Sequence, residues 1–242
     1  TVNSDKIASK PVANAMDALQ GQVSGLQVIS SSGEPGAGSN VNLRGVGSLT
    51  AGNEPLYVLD GMPVGSSVMT TMNPNDFESV TVLKDASATS IYGSRAANGV
   101  IFITTKKGKL GEKALVSVST NFGRTQLARK IGDPMNAAEL LAYQLEHGVI
   151  DQAKYDKYTE LGYDTNWQDY FFRKHAPTSN TNVSVQGGSD KTRFFLSSSY
   201  LKQEGLTPNS EYDRYTFTSN IESNVNSWLK VGANVSGAYD HK

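Results

Sequence analysis

The chain has 242 residues with 22 basic and 23 acidic side chains, a net charge of −1, so it lacks the overall basic field that nucleic-acid binding would need. It contains no cysteine, which excludes disulfides, thiol nucleophiles and cysteine-ligated metals. No stretch approaches the roughly 18 consecutive apolar residues of a membrane-spanning helix, and the opening "TVNSDKIASK" has neither the basic nor the apolar region of a signal peptide, so the sequence reads as a piece of something longer.

From residue 1 to about residue 112 the segments are short, mixed and rich in turn residues. "ANAMDALQGQVSGLQV" predicts a helix capped by Asn14, with Ala15, Ala18 and Leu19 on one face and Gly21 or Gly25 as its end. "NVNLRGVG" alternates Val41 and Leu43 with polar neighbours, and "PLYVLDG" is a buried-strand run closed by an Asp60-Gly61 turn. In "MNPNDFESVTVLKD", Asn73 is placed as an N-cap, Pro74 as the first helical residue and Asp76 as the third, ahead of a strand over Val80 to Leu83. "LKDASATSIYGSRAANG" follows, with Asp85 expected to cap a helix over Ala86 to Tyr92 that Gly93 ends; "VIFITTKK" is then a strand. The first region is thus expected to be a small α+β module of about four strands and a few short helices.

From about residue 113 to 242 the period becomes two. "ALVSVSTNF" sets Val116, Val118, Thr120 and Phe122 on one face; "NTNVSVQ" does the same with Val183 and Val185. In "YDRYTFTSNIESNV" Tyr215, Phe217, Ser219, Ile221 and Val225 oppose Arg214, Thr216, Thr218, Asn220, Glu222 and Asn224. "LKVGANVSGAY" repeats the pattern with Leu229, Val231, Ala233, Val235 and Tyr239. Such strands match the roughly 9 to 11 residues that a tilted strand needs to cross a bilayer. The turns at "GGSDK" and "NVNSW" are tight, whereas the links near 204–211 and 123–177 are long, and that asymmetry suits an outer-membrane barrel with its long loops outside the cell. A soluble β-sandwich also alternates and remains the competing reading; the two differ in whether Tyr215, Phe217, Ile221 and Val231 meet lipid or a second sheet.

"NVNLRGVGS", "PLYVLDGMPV", "NPNDFESVTVLKDASATSIYGSRAANGVIFITTKKGK" and "DTNWQDYFFRKHAPTSNTNVSVQGGSDKTRFFLSSSYLKQEG" together resemble TonB-dependent receptors of the SusC/RagA type. The resemblance covers essentially the whole chain. It implies a plug domain over residues 1–112, then the beginning of a transmembrane β-barrel over 113–242. About five of the 22 strands of a complete barrel are expected, with a long extracellular loop near 123–177. It further implies nutrient import across a bacterial outer membrane, with the plug facing the periplasm. Its implied partners are TonB, acting through a segment outside this sequence, a SusD-like surface lipoprotein, the lipid bilayer, and a glycan or oligopeptide substrate. The other class of reading is a soluble, non-transporting module that binds glycan or protein.

A plug lodged in a pore needs small residues for close approach, which accounts for the Ala- and Gly-rich 83–99 stretch. It also needs polar groups for the lumen wall, for which Arg44, Asp60, Glu78, Lys84, Asp85 and Arg95 are the candidates; the alternative for each is a solvated charge or a local cap. In the insertion, Tyr155, Tyr158, Trp167, Tyr170 and Phe171 are either the small core of a self-packed loop or a ligand or lid-protein contact surface. His147, His175 and His241 lack metal-ligand spacing, "GEPGAGSNVNLRG" meets no phosphate-loop pattern, and Asp60 and Glu78 are accounted for by a turn and a short helix. No catalytic residue, metal or cofactor is expected.

Overall fold

The computed structural model describes residues 1–8, 12, 14–30, 32–43, 45, 52–84, 90–129 and 132–242. The N-terminal part begins with β1 (Val2–Asn3) and α1 (Ser4–Ala8), followed by a 3-10 turn over Asp17–Leu19 and a hairpin of β2 (Leu26–Ser30) and β3 (Ser39–Leu43). Then come β4 (Leu56–Leu59), β5 (Met62–Val64), α2 (Ser66–Thr71), a 3-10 turn over Pro74–Asp76, β6 (Phe77–Leu83), 3-10 turns within Ser90–Ala96, and β7 (Val100–Thr105). One sheet runs in the order β1-β6-β7-β4-β5, with β4 and β7 parallel and the other pairs antiparallel.

Local chemistry explains these elements. Strand β7 lies in the middle of its sheet, so Val100, Ile101 and Ile103 are all buried and the run is almost continuously apolar. Asp60 and Gly61 join β4 to β5 with φ of 48° and 91°, the backbone that a two-residue type I′ turn demands. Phe77, Val80 and Ile101 of the sheet pack against Ile7, Met16, Leu19, Val41 and Met69 from the flanking segments to close the core.

Among the described residues seven strands therefore stand where the sequence suggests about four. Two of the extra ones, β1 and β5, have two and three residues, too few for a periodic signal to separate them from loop; the third, β2, has five but lies at the end of the stretch read as a helix. The helix expected after Asn14 is a single 3-10 turn. Asn14 Oδ1 accepts from the Met16 amide at 2.9 Å, and Gly21 and Gly25 both take positive φ. The capping expected at Asn73 is present, its side chain accepting from the Asn75 amide, although the helix it starts is only three residues long. Of the helix expected over Ala86 to Tyr92, residues 85–89 lie outside those described; beyond them the 3-10 turns are broken at Gly93 (φ 61°, ψ −149°).

The C-terminal part is one antiparallel meander of β8 (Leu115–Thr125), β9 (Ala176–Gly188), β10 (Thr192–Glu204), β11 (Glu211–Asn224) and β12 (Lys230–His241). Its strands have 11 to 14 residues. Residues 189–191 and 225–229 make short turns at one end, while 205–210 and the insertion 126–175 lie at the other. The insertion carries α3 (Ala137–Glu146), started by a reciprocal Asn136/Glu139 capping box, α4 (Gln152–Leu161) and α5 (Trp167–Phe171).

Candidate functional site

The five-stranded wall is inverted relative to a soluble sheet. On β11, Arg214, Thr216, Thr218 and Asn220 are 2–5% exposed, whereas Tyr215, Phe217 and Ile221 between them are 43–52% exposed. The N-terminal module packs on the polar face; the apolar face is uncovered. A β-sandwich would bury that apolar face under a second sheet, so the burial pattern counts against the soluble alternative.

The buried face is a polar seam drawn from three neighbouring strands. Asp76 accepts from the Ser197 hydroxyl of β10 at 2.6 Å and from the Thr218 hydroxyl of β11 at 2.7 Å. Asn73 donates to the Asn182 side-chain oxygen of β9 at 2.7 Å. Asn220 donates to the Thr105 hydroxyl at 2.9 Å and to the Lys106 carbonyl at 2.8 Å, and Arg214 donates to the Thr70 carbonyl at 2.8 Å. Burial raises the Asp76 carboxyl above the ordinary carboxylate range, opposed by its two hydroxyl bonds and by the nearby charges of Lys106 and Arg214. Apart from the Arg214 guanidinium and the Asp76 carboxylate, these contacts are made by short, neutral side chains meeting turns and strand ends, which gives a specific fit with little apolar adhesion.

Glycines let backbone approach backbone at this seam. A Cβ on Gly108, just after β7, would stand 2.2 Å from the carbonyl oxygens of both Gly187 and Phe194. At the opposite end Gly36 (φ +65°) lies flat on the Tyr212 ring, and its amide donates to Gln203. Next to it a polar cavity of about 230 Å³ opens among Asn14, Asp17, Glu34, Thr70, Gln203 and Arg214.

Among the described residues proposed from sequence, Asp60 is linked to the wall through Thr105. Its oxygens accept from the Thr105 amide (3.0 Å) and hydroxyl (2.5 Å), and the same hydroxyl receives Asn220. Lys84 donates to the Ser24 carbonyl within the module. Glu78 and Arg95 are exposed, and Arg44 and Asp85 lie outside the described residues. The residues that sequence reasoning passed over are Asn73, Asp76 and Thr105, with Asn182, Ser197, Thr218 and Asn220 opposite them. Asn73 and Asp76 read as a local cap, and nothing near them in the chain announces a second role.

The insertion aromatics do not form a core. Tyr158, Trp167, Tyr170 and Phe171 are 47–72% exposed, Tyr155 is half-buried, and α3, α4 and α5 contain no buried residue. This exposure counts against the self-packed alternative; the rings form an open ladder, with Trp167 edge-on to Tyr170 and Tyr170 edge-on to Phe171.

On the outer face, Tyr200, Tyr215 and Tyr239 stand side by side toward the long-loop end, and Trp228 projects from the short turn at the other. Tyr200 and Tyr215 stack at 4.7 Å. The ten steps from Tyr215 to Val225 span about 33 Å along the strand, which a tilt of about 40° reduces to about 25 Å, the height of a barrel's apolar band.

Residues 1–100 match the family model described as the TonB-dependent Receptor Plug Domain. The chain is 38% identical over its whole length to the TonB-dependent receptor P3 of Formosa agariphila, covering 23% of that protein. It is 37% identical over 96% of its length to the TonB-dependent receptor SusC of Bacteroides thetaiotaomicron, covering 24% of it. Among solved structures it is similar to the RagAB peptide transporter, with 42% identity, a TM-score of 0.90 and coverage of 99% of this chain and 30% of that one. The chain therefore spans about a quarter of the length of these curated relatives.

Proposed function

We propose, because the chain belongs to the SusC/RagA type of TonB-dependent receptors, that the complete protein imports a nutrient across a bacterial outer membrane. In this reading residues 1–112 are the plug, facing the periplasm, and β8–β12 open the barrel around it. The inverted wall carries the reading. A sheet whose polar face is buried on a folded module, and whose apolar face lies bare between a tyrosine row and Trp228, fits a lipid solvent outside and a plugged lumen inside. Strands β8 and β12 are the sheet's edges in this chain, and in lipid unpaired edges are costly, so barrel closure belongs to the complete protein.

The substrate class is a glycan or an oligopeptide, supported by the likeness to SusC and to the RagAB peptide transporter. The partners are TonB on the periplasmic side and a SusD-like surface lipoprotein outside. The exposed Tyr158, Trp167, Tyr170 and Phe171, with Tyr155, supply a surface for substrate or lipoprotein at the extracellular end. Arg44, Asp60, Glu78, Lys84, Asp85 and Arg95 are assigned to plug–barrel contact around the complete lumen, and the reading is transport without catalysis.

The test is growth of a deletion strain on oligopeptides and on glycans as sole nutrients, with the gene restored in cells that have or lack functional TonB. Loss on one class, rescued only when TonB works, is expected. Undiminished growth of the deletion strain on every member of both classes would contradict the proposal.

A further inference from the structure

Asp76 is the one charged plug side chain that the described seam seals completely, at 1% exposure. Each of its two oxygens accepts one hydroxyl, from Ser197 of β10 and from Thr218 of β11. Its backbone is fixed as well: the Asp76 amide donates to the Asn73 carbonyl at 3.1 Å, and its carbonyl accepts from the Lys106 amide at 2.8 Å. Among the described residues it forms no ion pair; Lys106 and Arg214 act on it through their charge alone. A buried carboxylate held by neutral hydroxyls keeps its orientation but has given up its hydration for weaker partners. Asparagine has the same shape and could accept from one hydroxyl and donate to the other at a much smaller desolvation cost.

We propose that Asp76 is a release point built into the plug–barrel seam: its carboxylate fixes the register of the closed plug on β10 and β11 and, being better solvated by water, favours separation once the seam begins to open. This inference rests on the plug reading above and adds the residue at which the plug lets go. It separates the two wall hydroxyls from the carboxylate they serve. Removing a hydroxyl leaves a buried charge short of a bond and loosens the seam. Removing the charge while keeping the shape tightens it.

Hydrogen exchange in the purified full-length receptor, followed over residues 73–77 and 105–106, reads the closed seam directly. Ser197→Ala and Thr218→Val should each speed exchange there by about ten- to a hundredfold, the effect of a lost hydrogen bond to a charged group. Asp76→Asn should slow it several-fold. Exchange in Asp76→Asn as fast as in wild type, or faster, would overturn the proposal, because a simple anchor weakens when its charge is removed.

A second measurement on the wild-type receptor needs no variant. Because burial raises the Asp76 carboxyl, its ionised form is the one the closed seam disfavours. Protection of residues 73–77, corrected for intrinsic exchange, should therefore be greatest at low pH and fall as the pH rises through the raised value, above the ordinary aspartate value of about 3.9. The charged groups facing Asp76 are Lys106 from the end of β7 and Arg214 from β11; Ser197 and Thr218 face it without charge. Protection that is flat or rises with pH would also overturn the proposal. Exchange reports the seam whether or not a nutrient is imported, so a failed growth test and a failed release point remain distinguishable.

Discussion

Replacing Leu196 with Arg puts a charge on the outer face of β10, in the row where Val116, Val185 and Val235 also point outward. This row pairs with Ser219, four residues along β11 from Tyr215. Four steps are about 13 Å along the strand, or roughly 10 Å below the tyrosine row at a tilt of about 40°, close to the middle of a band about 25 Å tall. An Arg at the midplane costs about 2–4 kcal/mol, against 0–1 near the interface. Leu196→Arg should therefore reduce the folded-to-unfolded ratio of the full-length receptor by a factor of about 30 to 800, and Tyr239→Arg by less than about tenfold. Equilibrium denaturation in phospholipid vesicles, followed by tryptophan fluorescence and by the gel shift of the folded barrel, measures both. The reasoning is refuted if the two variants lose the same stability or if Leu196→Arg loses none, since a water-facing sheet would tolerate the charge at either depth.

Gly108→Ala should prevent the module from seating: its Cβ would lie 2.2 Å from two backbone carbonyls that cannot rotate away, and protease protection of residues 60–106 should fall with it. Arg95→Ala in the full-length receptor should raise leakage of small solutes in a liposome-swelling assay without reducing the yield of folded barrel; unchanged permeability would return Arg95 to the solvated surface. Asn220→Ala should cost about 1–3 kcal/mol, because it strips a donor from both the Thr105 hydroxyl and the Lys106 carbonyl, and thermal unfolding of the assembled receptor would read that loss.

The wall was legible because its signal is redundant. Along β11 buried polar side chains alternate with exposed, mostly apolar ones from Arg214 to Ile221, and a slip of one position would turn every side chain to the wrong side. The Asp60-Gly61 hairpin and the Asn73-Pro74 cap were legible for a different reason, since both are decided within four residues. The seam itself was hidden. Asp76 and Thr218 are 142 positions apart and Asn73 and Asn182 are 109 apart, so their meeting depends on how two separately folded sheets register. Reasoning from charge also favoured Glu78, Lys84 and Arg95, while the described wall is bound chiefly through hydroxyls and amides. Those groups are common in any alternating strand and stand out only once the plug is seen against them.

A disulfide between plug and wall tests the central claim most directly. With cysteines at Asn73 and Asn182, whose side chains meet at 2.7 Å across the seam, oxidation of the full-length receptor in living cells should tie the plug to β9. Nutrient-dependent growth should then fall to the level of the deletion strain and return on reduction, while either single cysteine leaves it unchanged. A receptor shown by gel mobility to be fully cross-linked, yet importing at the uncross-linked rate, would contradict a plug that gates the lumen by parting from this wall.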